Sequence, residues 1–200
     1  IDKMYDFVFS ENSLFIDEGR NLLITEFGKN YGTYFSILSE IANGHYTQGE
    51  IESALGGTAI GGYLSKLENV YNLITRERPI FAKPGTKKNV RYVIGDNFLN
   101  FWFKYIEQNR SYIELQNFDD LRQLAKADYP TYSGRVLEKY FKQKLAETGG
   151  FKEIGSWWET KSSIGKQRIN SYEIDIVALK SSGKKALIAE VKRVPENNYS

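Results

Sequence analysis

The stretch YEIDIVALKSSGKKALIAEVKR, residues 172–193, decides how this chain is interpreted. Two apolar runs, YEIDIVALK and KALIAEVK, flank the short polar connection SSGK at residues 181–184. Such a connection is typical of a hairpin turn. We therefore predict two antiparallel strands, with Lys180 and Lys185 as partners on either side of the turn.

This register brings acidic and basic side chains together. Counting back from the turn places Asp175 opposite Glu190, and Lys192 shares their face because side chains alternate along a strand. Two carboxylates about 5 Å apart repel each other unless a cation or a proton compensates. A divalent cation, Mg²⁺ or Mn²⁺, would compensate if Asp175 and Glu190 held it. The pattern predicts metal-dependent phosphodiester cleavage, with Lys192 orienting the nucleophile or neutralising phosphate charge.

A long amphipathic helix is predicted before the strands. The run GRVLEKYFKQKLAE, residues 134–147, ends at Gly149-Gly150. Its apolar residues recur four apart on one face: Leu137, Phe141 and Leu145. Glu138 lies beside that face and is a candidate third acid of the site. A further strand is predicted over FKEIGSWWE, residues 151–159.

The order of these segments resembles a known superfamily. The helix GRVLEKYF, followed by EIDIVAL and AEVKR, is similar to the PD-(D/E)XK nucleases, which include restriction endonucleases and Holliday junction resolvases. The resemblance implies catalytic roles for Glu138, Asp175, Glu190 and Lys192, with a divalent cation at Asp175 and Glu190. It also implies a restriction-endonuclease-like α/β core, which residues 130–200 would cover incompletely because few residues follow AEVKR.

The first half of the chain has the pattern of a winged helix, a variant of helix-turn-helix. A helix is predicted over residues 31–43, a second begins at Thr47 with Glu50 completing a capping box, and a third begins at Thr58. Two strands then follow, LITRERPIF at residues 73–81 and VRYVI at residues 90–94, around the turn-forming loop AKPGTKKN.

The middle of the chain is predicted to be helical. Asp96 caps the aromatic-rich run NFLNFWFKYI, whose aromatic side chains are expected in the core. A more polar stretch follows, and Pro130 indicates a boundary. The predicted α+β chain therefore has a winged-helix-like module with flanking helices at 1–106, a helical connector at 107–129 and the nuclease-like core at 130–200.

The whole chain also resembles the C-terminal region of a prokaryotic family of AAA-type ATPases. That resemblance implies an N-terminal P-loop ATPase module. The sequence has no G-x-x-x-x-G-K-[ST] motif, so the ATPase module is expected upstream in the same protein or as a partner.

DNA is the expected polyanionic partner. Candidate nucleic-acid-binding residues cluster around the predicted wing: Lys66, Arg76, Arg78, Lys83, Lys87, Lys88 and Arg91. The third helix carries little beyond Lys66 for reading bases, so contact with the phosphate backbone is expected. A wing packed on a partner protein or on the ATPase module is the alternative. A second basic stretch, TKSSIGKQRINS at residues 160–171, is either a phosphate-contacting segment or a plain loop.

Composition excludes other chemistry. The net charge of +2 does not by itself indicate a nucleic-acid partner, and the absence of cysteine excludes disulfides and thiolate zinc sites. The single histidine, His45, excludes a histidine metal cluster and disfavours a Ser-His-Asp triad. No apolar run approaches the roughly 20 residues that span a bilayer, so no membrane association and a cytoplasmic location are expected. The sequence does not specify an oligomeric state.

Two alternatives to a nuclease remain. Surface strands often carry acidic and basic residues, and Lys192 would then pair with Glu173, a cross-strand neighbour in the same register. A nuclease-like fold retained without catalysis, as a DNA- or protein-binding module of the ATPase, is the other.

Overall fold

The chain forms two compact units, described by a computed structural model that covers residues 2–83, 85, 89–159, 163–164, 167–168 and 172–193. Unit 1 comprises Ile1–Glu77 and Arg91–Asp128, and unit 2 comprises Arg78–Val90 and Tyr129–Ser200. The fold is mixed α+β, with helices and small antiparallel sheets.

Unit 1 is mainly helical. Its elements are α1 (Asp2–Val8), α2 (Phe15–Phe27), α3 (Tyr31–Asn43), α4 (Gln48–Ala54), α5 (Gly61–Asn69), β1 (Ile74–Glu77), β2 (Arg91–Ile94), α6 (Asn97–Phe101), a π-helical turn (Trp102–Ile106) and α7 (Arg110–Glu114). The strands β1 and β2 pair antiparallel, as the sequence predicted. The prediction of α3 is confirmed at both ends, where Gly44 adopts a left-handed conformation that ends the helix.

The predicted start of the second helix is confirmed, and that of the third is wrong. The Thr47 hydroxyl accepts a hydrogen bond from the Glu50 amide, and the Glu50 carboxylate accepts one from the Thr47 amide. Thr58 does not begin α5, because its hydroxyl instead donates to the Leu55 carbonyl. The amide of Ile60, the residue before α5, donates to the carboxylate of Glu52. A nonlocal side chain therefore satisfies the start of α5.

The aromatic run after Asp96 forms the core of unit 1, as predicted. Asp96 caps α6 by accepting from the Leu99 amide. The side chains of the π-helical turn are buried at Trp102, Phe103, Tyr105 and Ile106. The indole N–H of Trp102 donates to the Ile16 carbonyl at 3.1 Å, and the ring lies against Gly19 in α2. The helices α1 and α2 lie in the region where flanking helices were predicted without bounds.

The boundary predicted at Pro130 does not interrupt the secondary structure. Helix α8 (Phe118–Thr148) is continuous through this residue. Proline removes one backbone hydrogen bond from a helix interior. The remaining hydrogen bonds and the buried side chains of Leu121 and Ala125 stabilise the helix, so it continues past the point where the two units divide, between Asp128 and Tyr129.

The described part of unit 2 contains a three-stranded antiparallel sheet. Its strands are β3 (Phe151–Trp158), β6 (Glu173–Lys180) and β7 (Ala186–Ala189), in the order β3-β6-β7. Two further short strands, β4 (Ser163–Ile164) and β5 (Gln167–Arg168), pair with each other within the basic stretch at residues 160–171, which otherwise lies outside the described residues.

The predicted register of the last hairpin is confirmed. Lys180 donates its amide hydrogen to the Lys185 carbonyl, and the pairs continue to Ile176 opposite Ala189. The predicted length of the last strand is wrong, because β7 ends at Ala189. Glu190 and Lys192 therefore follow the strand instead of lying within it.

The segment between β1 and β2 belongs to unit 2, which corrects its assignment to the N-terminal module. The Ile80 amide donates to the Ser156 carbonyl at 2.8 Å, and Ile80 is buried beside Gly155. Ile80 thereby satisfies a carbonyl of β3, whose other edge pairs with β6. Among the described residues, no helix is long and apolar enough to cross a lipid bilayer.

Candidate carboxylate site in unit 2

A β-bulge positions Asp175. The register between β3 and β6 shifts between the pairs Gly155–Val177 and Trp157–Ile174. Ser156 therefore lies opposite two residues of β6, Asp175 and Ile176. Bulges of this kind redirect side chains and occur frequently beside active sites.

Hydrogen bonds hold Asp175 at both its backbone and its side chain. The Ser156 hydroxyl donates to the Asp175 carbonyl oxygen at 2.8 Å. The Val191 amide donates to Asp175 Oδ2 at 2.8 Å, at the point where the β6–β7 ladder has ended. The carboxylate is thus fixed by a residue that lies directly between Glu190 and Lys192 in the sequence.

Glu138 of α8 lies within electrostatic reach of Asp175. Burial, and then the negative charge of Asp175, raise the pKa of Glu138 to about 7. The positive charges of Lys142 and Arg135 act in the opposite direction, and Glu173 raises the pKa further. The structure therefore brings together two acids that are 37 positions apart, counted as 175 minus 138.

Glu190 and Lys192 are largely in solvent. Their side chains are 69% and 73% exposed, and Lys192 Nζ lies 3.3 Å from Glu190 Oε1. An exposed pair of this kind contributes little to stability. Lys192 therefore contacts the acid two residues before it, whereas the surface-charge alternative paired it with Glu173.

The acids nevertheless have the right chemistry for a small divalent cation. Mg²⁺ is usually held by one or two carboxylates and keeps several waters. Glu138 and Asp175 supply two carboxylates. Asp175 Oδ2 accepts the hydrogen bond from the Val191 amide, which leaves Asp175 Oδ1 to bind a cation. Within the described ranges, no group of three or more histidine, cysteine or acidic residues is arranged to hold a metal ion. The fit is thus to a water-rich site in which Asp175 would be a direct ligand, with the Glu138 carboxylate close by.

Two residues of this site were missed at the sequence level. Lys142 contacts Glu138, and Ser156 contacts Asp175. Lys142 follows Glu138 by four positions, a spacing that brings side chains together on a helix and was readable in the sequence. Ser156 had no such signal, because a bulge between β3 and β6 brings it opposite Asp175.

Comparison with known proteins places all four predicted site residues in one family match. Residues 102–198 match the DUF234 family model. The family is described as archaeal and bacterial proteins of unknown function. The matched range contains Glu138, Asp175, Glu190 and Lys192.

A longer archaeal protein is similar to most of the chain. The chain is 40% identical over 169 residues to the uncharacterised protein MJECL04 of Methanocaldococcus jannaschii. The similarity covers 80% of this chain, which spans only 35% of that relative. No solved structure matches the chain.

The candidate nucleic-acid-binding residues are divided between the units. In unit 1, Lys66 is exposed and Arg91 is half-buried. Arg76 forms an ion pair with Glu68, and its guanidinium lies 5.8 Å from the centre of the Tyr92 ring. In unit 2, Arg78 and Lys83 are exposed. Lys87 and Lys88 lie outside the described residues.

Because the pKa of Glu138 is raised, we predict that removing its charge changes the free energy of unfolding in a pH-dependent way. Stability contributed by the protonated carboxyl is fully present below its usual pKa near 4.5, and is lost as the pH rises through about 7. Each pKa unit corresponds to about 1.4 kcal/mol, and solvent screening reduces the effect of this partly exposed group. We expect Glu138→Gln to raise the free energy of unfolding by about 1–2 kcal/mol at pH 8, and to change it little at pH 5.

Urea unfolding in EDTA at the two pH values measures this difference. Glu147→Gln is the matched control, because Glu147 lies on the same helix and forms an exposed ion pair with Lys144. The control should gain no stability at pH 8. Equal stabilities of the Glu138→Gln variant and the parent at pH 8 would contradict the raised pKa of Glu138, which burial and the charge of Asp175 produce.

Proposed function

We propose that unit 2 is a metal-dependent phosphodiesterase that acts on DNA, within an ATPase-associated protein. The proposal depends on one observation: a helix acid and a strand acid, Glu138 and Asp175, converge although the like charges disfavour each other. Lys142 and Arg135 offset this repulsion only in part, because the pKa of Glu138 stays raised, and a function requiring a cation would explain the remaining cost. The helix–strand–hairpin order supports a restriction-endonuclease-like core.

The chemistry proposed is hydrolysis of a phosphodiester bond. A bound Mg²⁺ or Mn²⁺ would stabilise negative charge that develops on the phosphate. Asp175, fixed by Val191 and Ser156, contributes an oriented carboxylate. Glu138, with a pKa of about 7, is suited to accept a proton from the attacking water at neutral pH. The water oxygen bonds to phosphorus, and the departing sugar oxygen takes up a proton.

Glu190 and Lys192 have separate proposed roles. Glu190 follows β7 directly and is a further cation ligand once it turns from Lys192. Lys192, with its exposed ammonium, neutralises a phosphate of the substrate. Both roles need a substrate or a cation to rearrange an exposed ion pair, which costs little.

Unit 1 is proposed as a winged-helix-like module. Three helices, α3 to α5, precede the β1–β2 hairpin, which is the order of a winged helix. The Tyr92 amide of β2 donates to the Tyr46 carbonyl at 2.7 Å. This hydrogen bond attaches the stretch between α3 and α4 to the β1–β2 hairpin.

A cleavage assay with metal titration tests the function. We expect the full chain to nick or cut duplex or single-stranded DNA when Mg²⁺ or Mn²⁺ is added, and EDTA to stop the reaction. Binding of DNA without cleavage at any metal concentration would instead support the non-catalytic alternative.

A DNA- or protein-binding module without catalysis is the second candidate. The exposure of the Lys66 and Lys83 side chains and the mutual pairing of Glu190 with Lys192 favour it. For DNA, each phosphate contact contributes about −0.9 to the slope of log affinity against log salt concentration. We expect Lys83→Gln to make this slope shallower by about 0.9, measured by fluorescence anisotropy. Lys29→Gln, outside the candidate group, should leave the slope unchanged, and an unaltered slope for Lys83→Gln would remove that residue from the DNA interface.

A further inference from the structure

We propose that Lys142 and Ser156 are positioning residues of the carboxylate site, and that Lys142 supplies the cationic side chain inside it, the place that the sequence assigned to Lys192. This inference rests on the proposed function, because it concerns the same acids. Neither residue belongs to the D…E-x-K pattern.

Lys142 lies beside Glu138 and is linked to the backbone of Asp175 through Ser156. Its ammonium donates a hydrogen bond to the Ser156 hydroxyl, and its Nζ lies 4.0 Å from Glu138 Oε2. The Ser156 hydroxyl in turn donates to the Asp175 carbonyl oxygen at 2.8 Å. One ammonium group is therefore linked to Glu138 by charge and to the Asp175 backbone through a single hydroxyl.

Because these groups are buried or largely buried, losing their hydrogen bonds would cost free energy. Ser156 is buried, at 9% exposure, and the Lys142 side chain is 24% exposed. A buried polar group that loses its partner costs about 1–3 kcal/mol. The Ser156 hydroxyl donates its proton to the Asp175 carbonyl and accepts from the Lys142 ammonium through an oxygen lone pair, so the two contacts use different parts of one group. Lys142 thus favours the rotamer in which the Ser156 hydroxyl points to the Asp175 carbonyl, beside the bulge.

The contrast with Lys192 assigns the two lysines different tasks. Lys192 is 73% exposed, so its ammonium is free to move with solvent and to meet a substrate phosphate. Lys142 is held against Ser156 at the bulge and lowers the pKa of Glu138, which partly offsets the effects of burial and Asp175. Fixed groups beside metal ligands commonly change metal affinity by about 10–100-fold when they are removed.

The test uses the whole chain and two readouts. The Val191 amide donates to the Asp175 carboxylate, so its NMR resonance reports the position of that carboxylate without metal or substrate. Electron paramagnetic resonance of free Mn²⁺ measures cation affinity. We expect Lys142→Gln and Ser156→Ala each to shift the Val191 amide resonance and to weaken Mn²⁺ binding about 10-fold or more.

Three further variants complete the experiment. Lys144→Gln is the matched control, because Lys144 lies on the same helix and pairs with Glu147. It should move neither readout. Ser156→Thr keeps the hydroxyl and should restore Mn²⁺ affinity lost in Ser156→Ala, whereas a purely space-filling role of Ser156 would give no such rescue. Lys192→Gln should weaken Mn²⁺ binding less than Lys142→Gln does, because the Lys192 side chain is largely in solvent.

The outcomes separate the two proposals. If the parent neither binds Mn²⁺ nor cleaves DNA, the proposed function fails, and the Val191 resonance alone decides the positioning role. If that resonance is the same in Lys142→Gln as in Lys144→Gln, the positioning role is overturned whatever the activity. Should Lys142→Gln fail to fold, as judged by circular dichroism, Ser156→Ala and Ser156→Thr provide the same decision.

Discussion

Replacing Asp175 with asparagine is expected to reduce metal-dependent DNA cleavage by about 10²–10³-fold, the loss seen when one group of a preorganised electrostatic site is removed. Asparagine is nearly the same size as aspartate and retains a side-chain oxygen that can accept from the Val191 amide. The fold should therefore persist, while the negative charge that would hold the cation is lost.

Single-turnover cleavage with saturating Mn²⁺ measures the effect on chemistry, and urea unfolding checks the fold. Glu153→Gln is the control, because Glu153 is an exposed acid on β3 of the same sheet. It should cleave at the rate of the parent. Since Asp175 raises the pKa of Glu138, the asparagine variant should unfold at equal or higher urea concentration than the parent at pH 8. Cleavage at the parental rate by this variant would exclude Asp175 from the reaction.

The second large effect is expected in the core of unit 1. We predict that Gly19→Ala lowers the free energy of unfolding by about 2–4 kcal/mol, because a methyl group at this position would lie 2.6 Å from Trp102 Cε2 and 2.7 Å from Cε3. The ring is fully buried and cannot retreat without breaking its hydrogen bond to the Ile16 carbonyl. Overpacking and the lost hydrogen bond together outweigh the gain of up to about 1 kcal/mol from replacing glycine within a helix.

Gly32→Ala is the matched control for this substitution. Gly32 lies in α3, and a methyl group there would meet no atom within 4 Å. The control should raise stability by about 0.5–1 kcal/mol, so the two variants are expected to change in opposite directions. Thermal and urea unfolding measure both. A stability equal to that of the parent for Gly19→Ala would show that α2 does not pack on Trp102 as described.

Local signals in the sequence were sufficient for several elements. The helix at residues 31–43 has its apolar residues at helical spacing and a glycine that ends it, and the Thr47 capping box needs only Glu50, three residues away. The last hairpin followed from a turn and a count along two strands, and its register is confirmed. In these cases the interactions that determine the structure lie close together in the sequence.

Nonlocal contacts explain what the sequence did not predict. The start of α5 is set by Glu52, eight residues before Ile60, where a local pattern suggested Thr58. The domain boundary predicted at Pro130 lies within helix α8, which is continuous there, and the two units divide between Asp128 and Tyr129. The assignment of residues 78–90 failed because the Ile80 amide bonds to the Ser156 carbonyl, 76 positions away. Propensity and periodicity carry no information about such partners.

The candidate site shows the same division. The turn and the count along both strands gave the register as far as Ile176 opposite Ala189, and the helix pattern was enough to single out Glu138, which lies near Asp175. The end of β7 at Ala189 was not predictable from its apolar run, and it leaves Glu190 and Lys192 in solvent. The bulge at Ser156 arises from pairing between β3 and β6, so the role of Ser156 and of the Lys142 ammonium that contacts it required three-dimensional structure.

The excursion of residues 78–90 makes unit 2 discontinuous in sequence. A fragment cloned from Tyr129 onwards would lack Ile80, and the Ser156 carbonyl at the outer edge of β3 would lose its backbone partner. During synthesis, residues 78–90 leave the ribosome well before β3, to which Ile80 binds. Unit 2 therefore cannot finish folding while only the first half of the chain has emerged. Deletion mapping of activity should therefore keep this segment attached.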